Sequence, residues 1–366
     1  MPARALARVD LGAIRANTAR MRRELAGGAE LCAVVKGDGY GHGAVPAARA
    51  ALEGGATWLA VAAAHEAREL REAGIGDVPV IVLGALSLQE LDVALGAGAD
   101  VTVWSEEVVD AVAARGGGRV HVKLDTGMGR LGTRDPAHAL RVAGRAADAP
   151  GVQLVGAMTH FATADERGDA FFGEQLGRFA AWAEDVRAAH PGIVLHAANS
   201  AATLRDPASH FDLVRVGVAL YGLDPFGEDP AARDLRPALT LETWVAALKP
   251  IAPGESAGYG RRFVASEPTT IATLPIGYGD GVRRAMTNNG DVLVRGRRLP
   301  LVGTVSMDNI TADAGPQPDV AVGDTAVLIG AQGGERITAE EVARRIGTIN
   351  YEVTCGLLPR VPRRHE

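Results

Sequence analysis

Between about residues 30 and 225, short apolar runs alternate with alanine-rich segments of helical texture. The runs are ELCAVVK, WLAVAA, VPVIVLG, VTVW, VHVKLD, VQLVGAMTHF, IVLHAANS and DLVRVGVALYG, and the segments between them include AAHEARELREAG and EQLGRFAAWAEDVRAAH. That rhythm predicts βα units built around parallel strands. Eight runs match the strand count of a (β/α)8 TIM-type barrel, an α/β architecture of about 250 residues, and a doubly wound sheet is the other reading. Ahead of the first run, Leu11, Ile14, Met21 and Leu25 share a helical face with Thr18, and Asp10 is placed to cap that helix.

After Pro237 the texture changes to Thr, Val and Leu runs separated by turn signals: TLETWVAALKPIAPGES, TTIATLPIGYGDG, DVLVRGRRLPLVGTVSMDNI and DTAVLIGAQGGERI. This spacing predicts a mainly antiparallel β domain. One helix, AEEVARRIG, interrupts it behind a capping box of Thr338 and Glu341. The expected division is a barrel over residues 1–235 and a β domain over residues 236–366.

Composition narrows the function classes. In 366 residues, 47% hydrophobic and 22% charged side chains fit a folded globular enzyme rather than a disordered chain. A net charge of −6 and only short basic clusters, such as Arg295 to Arg298, leave no footprint for nucleic acid. Cys32 and Cys355 lie far apart, without disulfide or zinc-ligand spacing, and read as two buried thiols with no metal site. The stretch LGAIRANTARMRREL has charges throughout and no signal-type apolar core, and no run of about 18 apolar residues suggests a membrane span. A cytoplasmic protein is expected.

Polar residues that end barrel strands project into the mouth where this fold carries its chemistry. Lys36 ends the first run, and Gly37, Gly39, Gly41 and Gly43 follow it. These glycines let backbone approach a ligand closely, but they spell neither a Walker loop nor a dinucleotide fingerprint. A lysine reaching for solvent beside ordinary turns explains this stretch equally well when taken alone. Later runs change the balance, because they deliver Lys123, Arg130, His160, Asn199, Ser200 and Arg215 to the same rim.

The segments VVKGDGYGHG, KLDTGMGRLG, THFATADE, HAANSAA, VRVGVALYG, GYGRRF, IGYGDG, GTVSMDNI and NYEVTCGLLPRVPR together resemble the signatures of alanine racemases, in order, from about Val34 to Arg363. The resemblance implies a homodimer that uses pyridoxal 5'-phosphate, with the β domain contributing to the partner's active site. Lys36 would hold the cofactor as an aldimine. Tyr40, Ser200, Tyr351 and the backbone at Gly217 and Val218 would hold its phosphate, and Arg215 would face its pyridine nitrogen. Arg130, His160 and Asn199 would complete the cofactor's surroundings, with His160 joining Arg215 to the second base.

That second base would be Tyr259, since racemisation takes a proton from one face of Cα and returns it to the other. By the same resemblance, Arg130 and the backbone of Met307 would meet the substrate carboxylate and cofactor. Tyr278 and Tyr351 would narrow the approach to fit alanine, and Lys123 would carry a carbamate that fixes Arg130. Ser306 departs from the family, where many members have cysteine. The product D-alanine would supply peptidoglycan. Two rivals remain, a non-catalytic carrier of the same cofactor on a barrel alone and a decarboxylase with a similar β domain. GYGRRF and SMDNI favour the racemase.

Overall fold

The computed structural model describes residues 4–366. The chain enters through β1 (Leu6–Val9) and α1 (Leu11–Arg23). Asp10 caps α1 as expected, its carboxylate accepting the Ala13 N–H at 2.8 Å, while Leu25 falls beyond the end of the helix. Eight parallel strands follow: β2 (Glu30–Val34), β3 (Trp58–Val61), β4 (Val80–Val82), β5 (Asp100–Val103), β6 (Gly118–Lys123), β7 (Val152–Met158), β8 (Val194–His196) and β9 (Leu213–Val216). Six sit inside apolar runs, while β5 starts one residue before VTVW and β6 two residues before VHVKLD. Between them lie α2 (Ala44–Glu53), α3 (Ala64–Glu72), α4 (Leu88–Gly96), α5 (Glu106–Ala113), α6 (Pro136–Asp148), α7 (Phe171–Ala189) and α8 (Ser200–Arg205).

The strands pair in the order β8, β7, β6, β5, β4, β3, β2, β9. At the two ends of that path Asp212 N–H reaches Leu195 O at 3.0 Å and Arg215 N–H reaches Ala198 O at 2.9 Å, so the sheet curls into a nearly closed barrel. Strands such as β3, β4 and β5 are buried at every position, which is what helices on the outer face and packed side chains within require. Local signals stop and start the helices. Ser87 and Glu90 form a reciprocal capping box on α4, and Asp135 caps α6 ahead of a proline in its first turn.

The second unit begins after the barrel. Its main sheet contains β10 (Leu239–Trp244), β15 (Asp291–Val294), β16 (Arg297–Pro300), β18 (Thr325–Gln332) and β20 (Arg363–His365), ordered β16, β15, β18, β10, β1, β20, with β19 (Glu335–Ile337) paired to β18. A smaller sheet is formed by β11 (Ala247–Ile251), β14 (Thr269–Leu274) and β17 (Ile310–Asp313), and β12 (Ser256–Ala257) pairs with β13 (Phe263–Val264). Ile251, Ala257, Ala265, Ile271 and Val302 form a buried cluster there, with Phe263 packed against it. All pairings are antiparallel except β1 with β20.

Three expectations change. The described residues up to Ala13 group with Tyr221–Glu366, because β1 pairs with β10, so the barrel unit is Ile14–Leu220 rather than residues 1–235. Cys32 is buried in β2, but Cys355 is exposed on α10 (Asn350–Cys355). Thr338 does cap α9 (Ala339–Ile346) through the Glu341 N–H, yet the Glu341 carboxylate turns away to Arg298 and Arg345 instead of closing the box. Among the described residues no helix is long and apolar enough to cross a membrane.

Gly222 shows how tightly the second unit starts. Its φ is 72° and a Cβ would lie 1.9 Å from the carbonyl oxygen of Arg236. Gly222→Ala therefore combines left-handed strain with a backbone clash, and the expected result in calorimetry is a loss of about 2–4 kcal/mol and a melting temperature lower by several degrees. An unchanged melting temperature would show that this turn shifts freely.

Candidate active site

The rim at the carboxyl end of β2 has an unusual backbone. After Lys36, residues Gly37, Asp38, Gly39 and Tyr40 all have positive φ, from 51° to 62°, making one left-handed turn. Glycine takes this conformation without penalty, whereas it costs roughly 1–2 kcal/mol at an ordinary residue such as Tyr40. Hydrogen bonds hold the turn in place. Glu66 accepts the Gly37 N–H at 2.6 Å with one oxygen and the Ala62 and Ala63 N–H groups at 2.8 and 3.0 Å with the other. The Asp38 carboxylate accepts the Ala44 N–H at 2.9 Å, and the buried His42 ring bonds the carbonyls of Gly39 and Tyr40.

The turn delivers the Tyr40 hydroxyl to the end of the neighbouring strand, β9, which pairs with β2. A Cβ on Gly217 would lie 2.3 Å from that oxygen, so only glycine leaves it room. The Gly217 N–H donates to Ser200 Oγ at 3.0 Å and the Ala219 N–H approaches the same atom at 3.4 Å. Asn199 caps α8, accepting the Ala202 N–H, and so sets Ser200 at the helix start. Tyr40, Asn199, Ser200, Gly217 and Val218 thus form one patch of hydroxyls and backbone amides.

Arg215, in β9, is buried beside it. Its guanidinium donates to Thr159 O at 2.8 Å, Ala197 O at 3.0 Å, His196 Nδ1 at 2.9 Å and His160 Nδ1 at 3.3 Å. None of these partners is a carboxylate. Burial pulls the Arg215 pKa down to about 10, which still leaves it charged at neutral pH. His160 is held well below the ordinary imidazole value by burial and then by Arg215, Lys123, Arg130 and Lys36. Lys123, buried at the end of β6, is lowered to about 8 by burial and by Arg215 and Arg130, against which Asp125 acts in the opposite direction. Lys36, Lys123, Arg130, His160 and Arg215 therefore share one electrostatic neighbourhood that is rich in positive charge.

The remaining expected residues lie in the second unit. Tyr259 is 75% exposed, Met307 51% and Tyr278 39%. Their loops are fastened to one another: Thr304 Oγ1 donates to the Tyr259 carbonyl at 2.7 Å, Tyr278 N–H to Ser306 O at 3.0 Å, and Gly279 N–H to Met307 O at 2.9 Å. A Cβ on Gly277 would lie 2.3 Å from Ser306 O, which fixes that approach as backbone on backbone. Asp280, wholly buried, accepts the Gly277 N–H and pairs with Arg4 and Arg360. Tyr351 is half-buried on α10, next to Asn350, which bonds Glu340 and the Asp224 carbonyl at 2.8 Å each.

Four residues that sequence reasoning did not single out support the rim: Glu66, His196, His121 and Asp100. His196 and His121 stand inside the runs IVLHAANS and VHVKLD, where a polar ring in an otherwise apolar strand was the available signal. Glu66 lies in a helical segment and reaches the rim only through its fold contacts.

Comparison with known proteins gives a consistent answer. Family models described as the N-terminal and C-terminal domains of alanine racemase match residues 9–225 and 238–365. The alanine racemase of Symbiobacterium thermophilum is 44% identical over 363 residues, covering 98% of this chain and 96% of that protein. That of Frankia casuarinae is 45% identical over 374 residues, covering 99% and 96%. The crystal structure of alanine racemase from D-cycloserine-producing Streptomyces lavendulae superposes with a TM-score of 0.93 at 38% identity, covering 100% of this chain and 98% of that one.

Burial and the Arg215 charge keep His196 neutral in the folded state, whereas the unfolded chain protonates it near pH 6.5. The unfolded state then binds the extra proton, so stability present above that pH is lost as pH falls. Urea unfolding between pH 6 and pH 5 is expected to lose up to about 1.4 kcal/mol per pH unit on this account, and His196→Gln to remove that component.

Proposed function

The chain belongs to the alanine racemase family, and from that premise we propose that it interconverts L-alanine and D-alanine with pyridoxal phosphate held at the barrel mouth. The observation that carries this reading is the gathering of Lys36, Tyr40, Lys123, His160, Ser200 and Arg215 at one rim, in a chain whose relatives match it end to end. The rim suits an anionic cofactor that carries an aldehyde. Its cations outnumber its carboxylates, and the Tyr40, Ser200 and Gly217 patch has the hydroxyls and close backbone approach that a phosphate needs. Bound pyridoxal phosphate supplies an electron-withdrawing ring that acidifies Cα of an amino acid joined to it.

The protein's residues then divide the work. Lys36 would hold the cofactor at its aldehyde carbon and would serve as one base, and Tyr259 of a second copy would serve as the other, because one fixed group does not reach both faces of Cα. His160 Nδ1 lies 3.3 Å from the Arg215 guanidinium, and in this reading the neutral ring would carry its proton on Nε2 and offer that N–H to the Tyr259 oxygen, stabilising a phenolate. Arg215 gives up its own proton only with difficulty, so a cofactor ring nitrogen held against it would stay unprotonated and side reactions such as transamination would be restrained. Arg130 and the Met307 backbone receive the substrate carboxylate, and Asn199 sets Ser200 on the phosphate. Tyr351 touches the phosphate and, with Tyr278, narrows the approach to a methyl side chain, where one extra methylene is worth only about 1–3 kcal/mol of discrimination. The active form is a homodimer in the cytoplasm that provides D-alanine for peptidoglycan.

Lys123 receives a carbamate in this reading. With its pKa near 8, roughly a tenth of the amine is neutral at pH 7, the form that adds carbon dioxide, and the resulting anion sits among Arg130 and Arg215.

Two measurements test these assignments. Purified protein with pyridoxal phosphate and L-alanine in deuterium oxide is expected to yield D-alanine labelled at Cα. Tyr259→Phe is expected to slow this by about 100-fold or more while Lys36 still exchanges the Cα proton of one enantiomer. Racemisation at the parent rate in both directions would refute the two-base assignment. With 13C-labelled bicarbonate, the holoenzyme should show a carbamate carbon resonance that Lys123→Ala lacks, and its absence from the parent would refute the modification.

A further inference from the structure

Behind Arg215, away from the rim, a line of buried polar side chains continues through the barrel. His196 accepts from Arg215 at Nδ1, and its Nε2 lies 2.9 Å from His121 Nδ1. His121 Nε2 lies 3.0 Å from Asp100 Oδ2, and Asp100 Oδ1 accepts from Arg119 Nε at 2.7 Å. His196, His121 and Asp100 are almost wholly buried, whereas Arg119 reaches solvent. The line therefore runs from the rim to the opposite end of the barrel, where β5 and β6 begin.

Two backbone features aim His121 into this line. The pairing of β6 with β7 shifts register between Val120 and His121, a bulge that redirects the side chain. Opposite it stands Gly156, where a Cβ would lie 2.1 Å from His121 Nδ1. No other residue type leaves room for the ring.

The chemistry of the two ends fixes every proton between them. Arg215 is only a donor, so His196 Nδ1 is bare and Nε2 carries the hydrogen. His196 Nε2–H then donates to His121 Nδ1, which places the second hydrogen on His121 Nε2, facing a carboxylate that only accepts. Burial raises the Asp100 pKa, but His121 and Arg119 outweigh it and hold the carboxyl below its usual range, so the accepting form persists.

We propose that Asp100 and His121 are positioning residues for the reaction: acting through His196, they lock the imidazole tautomer that presents a bare nitrogen to Arg215, and Arg119 keeps the carboxylate oriented to do so. This rests on the reading that Arg215 faces the cofactor ring. Without the lock, His196 can turn an N–H toward Arg215, and the guanidinium loses the acceptor that sets its plane.

The test uses the holoenzyme loaded with pyridoxal phosphate and labelled with 15N only in histidine rings. Couplings to ring protons identify which nitrogen is protonated, and the parent must show Nε2–H for both His121 and His196. An Nδ1–H in either ring overturns the proposal before any variant is made. In Asp100→Asn, Arg119 claims the single remaining oxygen, so the amide N–H2 faces His121 and both rings reverse their tautomers. We expect kcat to fall about tenfold with KM for alanine within about twofold, because such supporting partners act on orientation rather than on substrate binding. Adding Arg119→Met frees the asparagine oxygen for His121 and should restore both the ring signals and most of kcat, which loss of folding would not allow. A lower kcat with unchanged rings overturns the lock. Reversed rings with unchanged kcat and an unchanged cofactor absorption spectrum overturn the placement of Arg215 against the cofactor, and the proposal with it.

Discussion

A charged guanidinium in a dry barrel is the constraint around which the rim is arranged. Burying Arg215 costs several kcal/mol unless its donors are met, and neutral acceptors meet them here: two carbonyl oxygens and two imidazole nitrogens. A carboxylate partner would have stabilised it more strongly, but would also have cancelled its field. Leaving the charge uncancelled has consequences in every direction. It helps keep His160 and His196 neutral, lowers Lys123, and makes the rim receptive to negative charge. Asp125, the acid that acts on Lys123, is occupied with the Gly127 and Gly129 amides and with Arg134, so it does little to offset this.

The left-handed turn after Lys36 answers a second requirement, that two groups of opposite use leave the same short loop. Lys36 must stay at the strand end while Tyr40, four residues on, crosses to Gly217. A right-handed turn from the same strand would carry residue 40 along a different path. Gly37 and Gly39 make the reversed turn inexpensive, Asp38 takes it as an acid that bonds its own loop, and Glu66 secures its first amide. The alternate glycines therefore serve handedness here, rather than the amide nest of a nucleotide loop.

Much of this was legible in the chain because the barrel repeats one rule. Each apolar run became a strand and each polar residue at its end came to the same rim, so Lys36, Lys123, His160 and Arg215 could be gathered without coordinates. What escaped depended on contacts that no local pattern encodes. β1 joins the second unit because strands far along the chain, β10 and β20, flank it, and its alternation of half-buried and buried positions suits a sheet with one face covered. His121 lies within an apolar run and Asp100 immediately before one, and only a bulge and a glycine on the neighbouring strand turn them into a connected line. Glu66 looks like a helix-surface acid until its two oxygens are seen to gather three amides.

The exposed patch on the second unit bears on why the proposed enzyme works as a dimer. Two tyrosines and a methionine standing in water on tightly fastened loops are costly to leave uncovered, and their rigidity removes the usual reason for exposed loops, which is freedom to move. A barrel rim rich in cations, with neutral His160 at its edge, would help a phenol lose its proton in the proposed reading. In the proposed dimer the two bases come from different copies, so the pair would be complete only when two copies close on each other. On that reading activity would be tied to assembly, since a barrel without its partner would lack the base for the second face of Cα.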